Sequence, residues 1–156
     1  MLKEGSKAPA FNLESTSGEK IALKDMTGQS VVLYFYPKDN TSGCTKEAEA
    51  FRDAYKKITK KGVVVLGISP DSRESHQKFT AKFNLPFPLL VDKDHKIAEK
   101  YGVWVEKSMY GKKYWGVQRA TFVIDPEGKI KKIFPKVKVD GHVDEVMTEL
   151  RDLRSF

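Results

Sequence analysis

The run Val31-Val32-Leu33-Tyr34-Phe35-Tyr36 constrains the fold of this chain more than any other segment. Six consecutive apolar, β-branched or aromatic residues leave no polar alternate for a wet face, so they predict a central strand covered on both sides. Pro37 ends it, because proline cannot donate to a sheet ladder. Such a strand needs a layer above and a layer below, and the flanking segments supply them. Between Cys44 and Lys60 there is no Pro or Gly, and Ala48, Phe51, Tyr55 and Ile58 recur at three- and four-residue spacing. That is the pattern of an amphipathic helix, with Gly62 placed to cap its end.

The remaining elements follow from the same periodicities. Val63 to Ile68 is a second apolar strand, and Ser72 to Phe83 reads as a helix closed by Asn84 and Pro86. Pro88 to Val91 predicts a third strand and Ile97 to Tyr101 a short helix. Ala120 to Ile124 and Ile130 to Phe134 are strands joined by the turn DPEG, and Val143 to Leu153 is the last helix. Two short runs around TSGEK, between Phe11 and Leu23, predict a small hairpin ahead of the main fold. Alternating strands and helices of this kind predict an α/β structure, a sheet with helices on both faces.

Length and composition narrow the function. A chain of 156 residues suits a single domain spanning 1–156, able to bury roughly 68–70% of the surface it exposes when unfolded. Hydrophobic residues make up 40% and charged residues 31%, which fits neither a disordered chain nor a membrane protein. The start, MLKEGSKAPAF, has no apolar run long enough for a signal-peptide core or a membrane span, so a cytoplasmic protein is expected. The net charge of +7 is spread among interspersed acids and bases. The densest basic stretch, Lys129 to Lys138, is accounted for by a solvated strand edge, and nucleic-acid binding is not expected. His76, His95 and His142 lie far apart with no ligand spacing, so they are expected on the surface, with no metal or other cofactor.

The chemistry concentrates on one residue. Cys44 is the single cysteine, so an internal disulfide is impossible. The loop PKDNTSGC leaves the strongest strand at its carboxyl end, where ligands of α/β sheets gather, and then opens a helix. At a helix start, unpaired backbone N–H groups and the positive end of the dipole favour a thiolate, the reactive form. A free cysteine is also a common small core residue, and position alone does not separate the two.

The neighbours of Cys44 do separate them. Pro37-x-x-x-Thr41-x-x-Cys44 resembles the active-site signature of the peroxiredoxins. The string YFYPKDNTSGCTKEA, with Arg119-Ala-Thr-Phe-Val-Ile-Asp, is similar to the branch typified by bacterioferritin comigratory protein, and the likeness runs from APAFNL to the final helix. The resemblance implies a thioredoxin-like fold with a central mixed sheet, and a thiol peroxidase acting on hydrogen peroxide and organic hydroperoxides. By it, Cys44 attacks the peroxide and becomes a sulfenic acid, Thr41 hydrogen-bonds the bound peroxide, Pro37 shields the sulfur from water, and Arg119 polarises sulfur and peroxide, with Glu47 orienting Arg119. A free cysteine is only about 3% thiolate at pH 7, and raising that fraction alone gains about 30-fold. Larger acceleration needs donors aimed at charge developing across the O–O bond.

Two positions depart from the branch. Many relatives carry a resolving cysteine where this chain has Glu49, and often a proline where it has Ser42. Without a second cysteine the sulfenic acid requires an external thiol, such as thioredoxin, glutaredoxin or a small-molecule thiol. A monomer suffices for such a mechanism. A dithiol oxidoreductase would need C-x-x-C, whereas the sequence here is Thr41-Ser-Gly-Cys44. A catalytically idle module binding an acidic partner through its lysines would show salt-sensitive binding in place of peroxide consumption.

Overall fold

The computed structural model describes residues 2–152. In chain order, the hairpin β1 (Asn12–Glu14) and β2 (Lys20–Ala22) leads through a 3-10 turn at Leu23–Met26 into β3 (Ser30–Phe35), α1 (Ser42–Thr59) and β4 (Val63–Ser69). Then come α2 (Arg73–Phe83), β5 (Leu89–Val91), α3 (Lys96–Lys100), β6 (Trp104–Met109) and β7 (Lys112–Val117). β8 (Ala120–Ile124), β9 (Ile130–Phe134) and α4 (His142–Asp152) complete the order. Five strands form the central sheet, β5-β4-β3-β8-β9. β3 pairs parallel with β4 and antiparallel with β8, so the sheet is mixed.

Every residue of β3 is buried, as the apolar run requires. Successive side chains of a strand point to opposite faces, and the two cores divide accordingly. Val31, Leu33 and Phe35 join Leu66, Ile68, Leu90 and Phe122 in one core, which α3 and the β2 end of the first hairpin cover. Val32, Tyr34 and Tyr36 join Val65, Phe51, Phe79 and Val146 in the other, under α1, α2 and α4. Helices therefore lie on both faces, three of them on one. The lysine-rich β9 is an edge strand, in keeping with its charge.

Boundaries shift by local chemistry. α1 begins at Ser42, two residues before Cys44. Ser72 stands outside α2 as its N-cap, its hydroxyl accepting the Ser75 N–H at 3.1 Å. Asn84 closes α2 with φ +52. α4 begins at His142, and Leu153, the last residue of the expected helix, lies outside the described residues. No helix among the described residues is long and apolar enough to cross a membrane.

Two expectations are corrected. The sequence assigned no element to 102–119, yet β6 and β7, six residues each, form an antiparallel hairpin. Tyr110 and Gly111 make a two-residue turn with φ +53 and +77, the signs that a type I′ turn needs. Tyrosine is an unusual first residue for such a turn, and the strands carry too many lysines to show a clean alternation. The second correction concerns the histidines. His76 is 0% exposed and His142 is 1% exposed, so neither lies on the surface. Each is held by polar partners: His142 bonds Thr121 Oγ1 at 2.7 Å and Glu145 Oε1 at 3.2 Å, edge-on to Phe51 and Phe134. Burial lowers the pKa of His142, with Glu145 opposing. His95 is half exposed, stacked on Trp104 at 3.8 Å between ring centroids.

Candidate active site

Topology brings the site together. β3 ends at Phe35, and because β8 runs antiparallel to it, Phe35 pairs with Ala120, the first residue of β8. Arg119, immediately before β8, is thereby delivered to the end of the sheet where the loop after β3 leads into α1 and Cys44. Thr41 is the N-cap of α1, in extended conformation, and the first intrahelical bond runs from Thr45 N–H to Thr41 C=O at 2.8 Å. Ser42, Gly43 and Cys44 thus occupy the first turn, where N–H groups precede any intrahelical acceptor.

Cys44 is only 2% exposed, yet it has a charged partner. Arg119 Nη2 donates to its Sγ at 3.3 Å, and Nη1 donates to Glu47 Oε1 at 2.6 Å. Cys44 and Glu47 are three residues apart on α1 and share one helix face. Gly43 makes room for the guanidinium: a Cβ there would sit 3.1 Å from Arg119 Nη2. Donors aimed at the sulfur stabilise negative charge on it.

Glu47 is buried, and its Oε2 has no hydrogen-bond partner. Burial raises its pKa to about 7 although Arg119 pulls the other way. Arg119 is held more firmly protonated than usual: burial opposes this, but Glu47 and Cys44 outweigh it. Beneath them the Tyr34 ring stacks on Phe51 at 4.7 Å between centroids, and its buried hydroxyl has no partner.

The other two sequence-predicted residues stand further out. Thr41 is exposed, and its hydroxyl donates to Lys38 C=O at 2.9 Å, which leaves its oxygen free to accept. Pro37 is half-buried just beyond β3, with no hydrogen bond or ion pair to Cys44. Glu49, at the position of the resolving cysteine in many relatives, lies on α1 with its carboxylate 3.7 Å from Arg52.

Sequence reasoning missed the polar network that pins this loop. Asp39, inside PKDNTSGC, accepts from Tyr36 Oη at 2.6 Å and Ser75 Oγ at 2.8 Å, and pairs with His76 Nδ1 at 2.7 Å. Its own N–H donates to Asp71 Oδ2 at 2.8 Å, and Ser69 Oγ donates to the same oxygen. His76 Nε2 faces the Leu90 carbonyl at 2.8 Å, which only accepts, so Nε2 carries a proton. Asp39, Asp71 and His76 have ligand atoms within 4.8 Å of one another, the spacing of a metal cluster. Those atoms are already engaged by N–H and O–H donors, so the cluster is better suited to fastening the loop to α2 and β4 than to holding a cation. His76→Ala is expected to cost about 3 kcal/mol or more, because it takes the imidazole from the buried Asp39, leaving it only the Tyr36 and Ser75 hydroxyls, and opens a cavity in the core. Denaturant unfolding checks this, with a lower midpoint at unchanged slope.

Comparison with known proteins agrees with the geometry. The model of the AhpC/TSA family matches residues 5–133. A bcp-type protein of Coxiella burnetii is 56% identical over 149 residues, covering 96% of this chain and 99% of its own. Peroxiredoxin Bcp of Bacillus subtilis is 50% identical over 152 residues, covering 97% of each. Among solved structures, a cysteine-to-serine mutant of Xylella fastidiosa PrxQ superposes with a TM-score of 0.94 at 34% identity, covering 99% of both chains. An arginine-bound cysteine on the first turn of α1, a thioredoxin-like mixed sheet and these full-length likenesses agree: the chain belongs to the AhpC/TSA family, among its Bcp peroxiredoxins.

Proposed function

We propose that this single-domain chain reduces hydrogen peroxide and organic hydroperoxides through Cys44. The observation that carries the reading is the 3.3 Å approach of Arg119 Nη2 to Sγ at the start of α1. The Cys44 thiolate attacks one peroxide oxygen; the S–O bond forms as the O–O bond breaks. The second oxygen leaves as alkoxide or hydroxide, is protonated, and departs as alcohol or water. Arg119 and the first-turn N–H groups lie where negative charge moves, which is how such donors accelerate a reaction. Thr41 Oγ1, its proton engaged with Lys38, accepts the O–H of the peroxide, and Pro37 keeps water off the sulfur.

The Cys44 sulfenic acid is then attacked by an external thiol, which releases water and leaves a mixed disulfide; a second thiol frees Cys44. Thioredoxin, glutaredoxin or a small-molecule thiol serves this step. A thiol that must be re-reduced in each cycle fits the cytoplasm. The protein acts as a monomer, and neither metal nor cofactor enters the balance.

One equivalent of hydrogen peroxide should add one oxygen to the chain by intact mass, and a sulfenate-trapping reagent should label Cys44 faster than it labels free cysteine exposed to the same peroxide. A thiol that stays reduced, or that reacts at the rate of free cysteine, would overturn the assignment.

A further inference from the structure

Lys107 combines features that serve stability poorly. It lies on β6 opposite Tyr114 of β7. Its stem does not extend toward the hairpin tip: Cδ and Cε lie 3.6 and 3.8 Å from where a Gly116 Cβ would be, with Tyr114 Cε2 at 3.5 Å from the same point. Gly116 is three residues before Arg119, so the stem packs along the Gly116 backbone and runs back along the hairpin toward the site.

The charge environment is equally unusual. On the opposite face of the hairpin Glu106 meets Lys113 at 3.9 Å. The Lys107 face carries Lys112, Met109 and Tyr114 but no acid. Lys107 is half-buried, and among the described residues it has no carboxylate partner. Burial lowers its pKa, the Arg119 charge lowers it further, and Cys44 alone acts in the other direction. An ammonium drawn partly out of water, beside a second cation and without an acid, is a site prepared for an anion.

We propose that Lys107 is a carboxylate-recognising residue at the mouth of the Cys44 site, selecting ligands that bring an acidic group alongside the atom that meets the sulfur. Exposed Met109 and Tyr114 beside it suit a ligand with an apolar body next to its charge. This rests on Cys44 being the reacting atom. Two ligands could supply the carboxylate, the peroxide substrate or the thiol reductant.

The test begins with alkylation of Cys44, which needs no peroxidase activity and so fails separately from the proposed function. Iodoacetate and iodoacetamide attack the same sulfur and differ in one carboxylate, so the ratio of their rates is independent of the thiolate fraction. Lys107→Gln is expected to lower the iodoacetate-to-iodoacetamide ratio about tenfold, the loss of one partly desolvated charge contact. Lys113→Gln, on the far face, should leave it unchanged. If both rates fall together, or neither falls, the proposal is overturned; in the first case Lys107 serves only the sulfur's own charge. Turnover then identifies the source of the carboxylate. Glutathione against its diethyl ester isolates the reductant, and a carboxylated hydroperoxide against its methyl ester isolates the substrate. A KM raised by Lys107→Gln only for the acid of one pair supports the proposal and names the ligand, whereas equal effects on acid and ester in both pairs overturn it.

Discussion

Cys44→Ser is expected to abolish peroxide turnover, a loss of roughly 10⁴-fold or more, while leaving a folded chain. The two side chains are nearly isosteric, and the site is polar enough to take a hydroxyl: Arg119 Nη2 stands 3.3 Å from Sγ and can donate to an oxygen placed there. What is lost is chemistry. A serine hydroxyl stays protonated at neutral pH, no base stands within hydrogen-bond reach of Sγ among the described residues, and oxygen attacks an O–O bond poorly. Direct peroxide consumption with excess dithiothreitol measures the loss, and denaturant unfolding measures the fold. Cys44 belongs to the core under α1, so a shift of about 1 kcal/mol accompanies the change. Residual turnover in a serine variant that unfolds normally would remove Cys44 from its proposed role.

Much of this candidate site was legible because its residues sit at fixed spacing on one loop and one helix, and that spacing is what carries the family resemblance. Pro37, Thr41 and Cys44 lie within eight residues of chain, and the apolar run before them dictates that the loop emerges from the centre of the sheet. Arg119 is 75 residues from Cys44, and only the resemblance placed it in the site; the physical reason, the antiparallel pairing of β3 with β8, appears with the register. Asp39 and His76 were illegible for the converse reason. They are 37 residues apart, one in the loop after β3 and one on α2, with no spacing that links them, and a histidine that closes a buried network looks, in one sequence, like a histidine in water. The hairpin β6–β7 escaped because self-paired strands outside the main sheet need no apolar alternation along their length. Its base is fixed by Val117, by Trp104 on His95 and by the Gln118 N–H to Val103 C=O bond at 2.7 Å, while its tip, Tyr110, is 98% exposed.

Arg119→Ala is expected to lower kcat/KM for peroxide by about 10²–10³-fold, the usual effect of removing one donor aimed at developing charge. A fall in rate alone would not separate chemistry from folding, because Arg119 is also the counter-ion of buried Glu47. Glu47 makes the two separable. Its folded pKa of about 7 lies above the 4.5 of an unperturbed glutamate, so the folded state holds the proton more tightly than the unfolded chain. That contribution to stability is fully present below about pH 4.5 and is lost as pH rises through 7, at ~1.4 kcal/mol per unit, or roughly 3 kcal/mol over the window. Removing Arg119 removes the group that favours the carboxylate, so the loss should extend above pH 7 in the variant. Near neutral pH the variant therefore folds with Glu47 protonated, and its slow rate is not a folding defect. Adding Glu47→Gln abolishes this part of the pH dependence, since the amide neither ionises nor needs a cation. The double variant should be as slow toward peroxide as Arg119→Ala, because the donor to Sγ is still missing. If it recovered the wild-type rate, Arg119 would be only the partner of Glu47, and the 3.3 Å contact with sulfur would have no part in the chemistry.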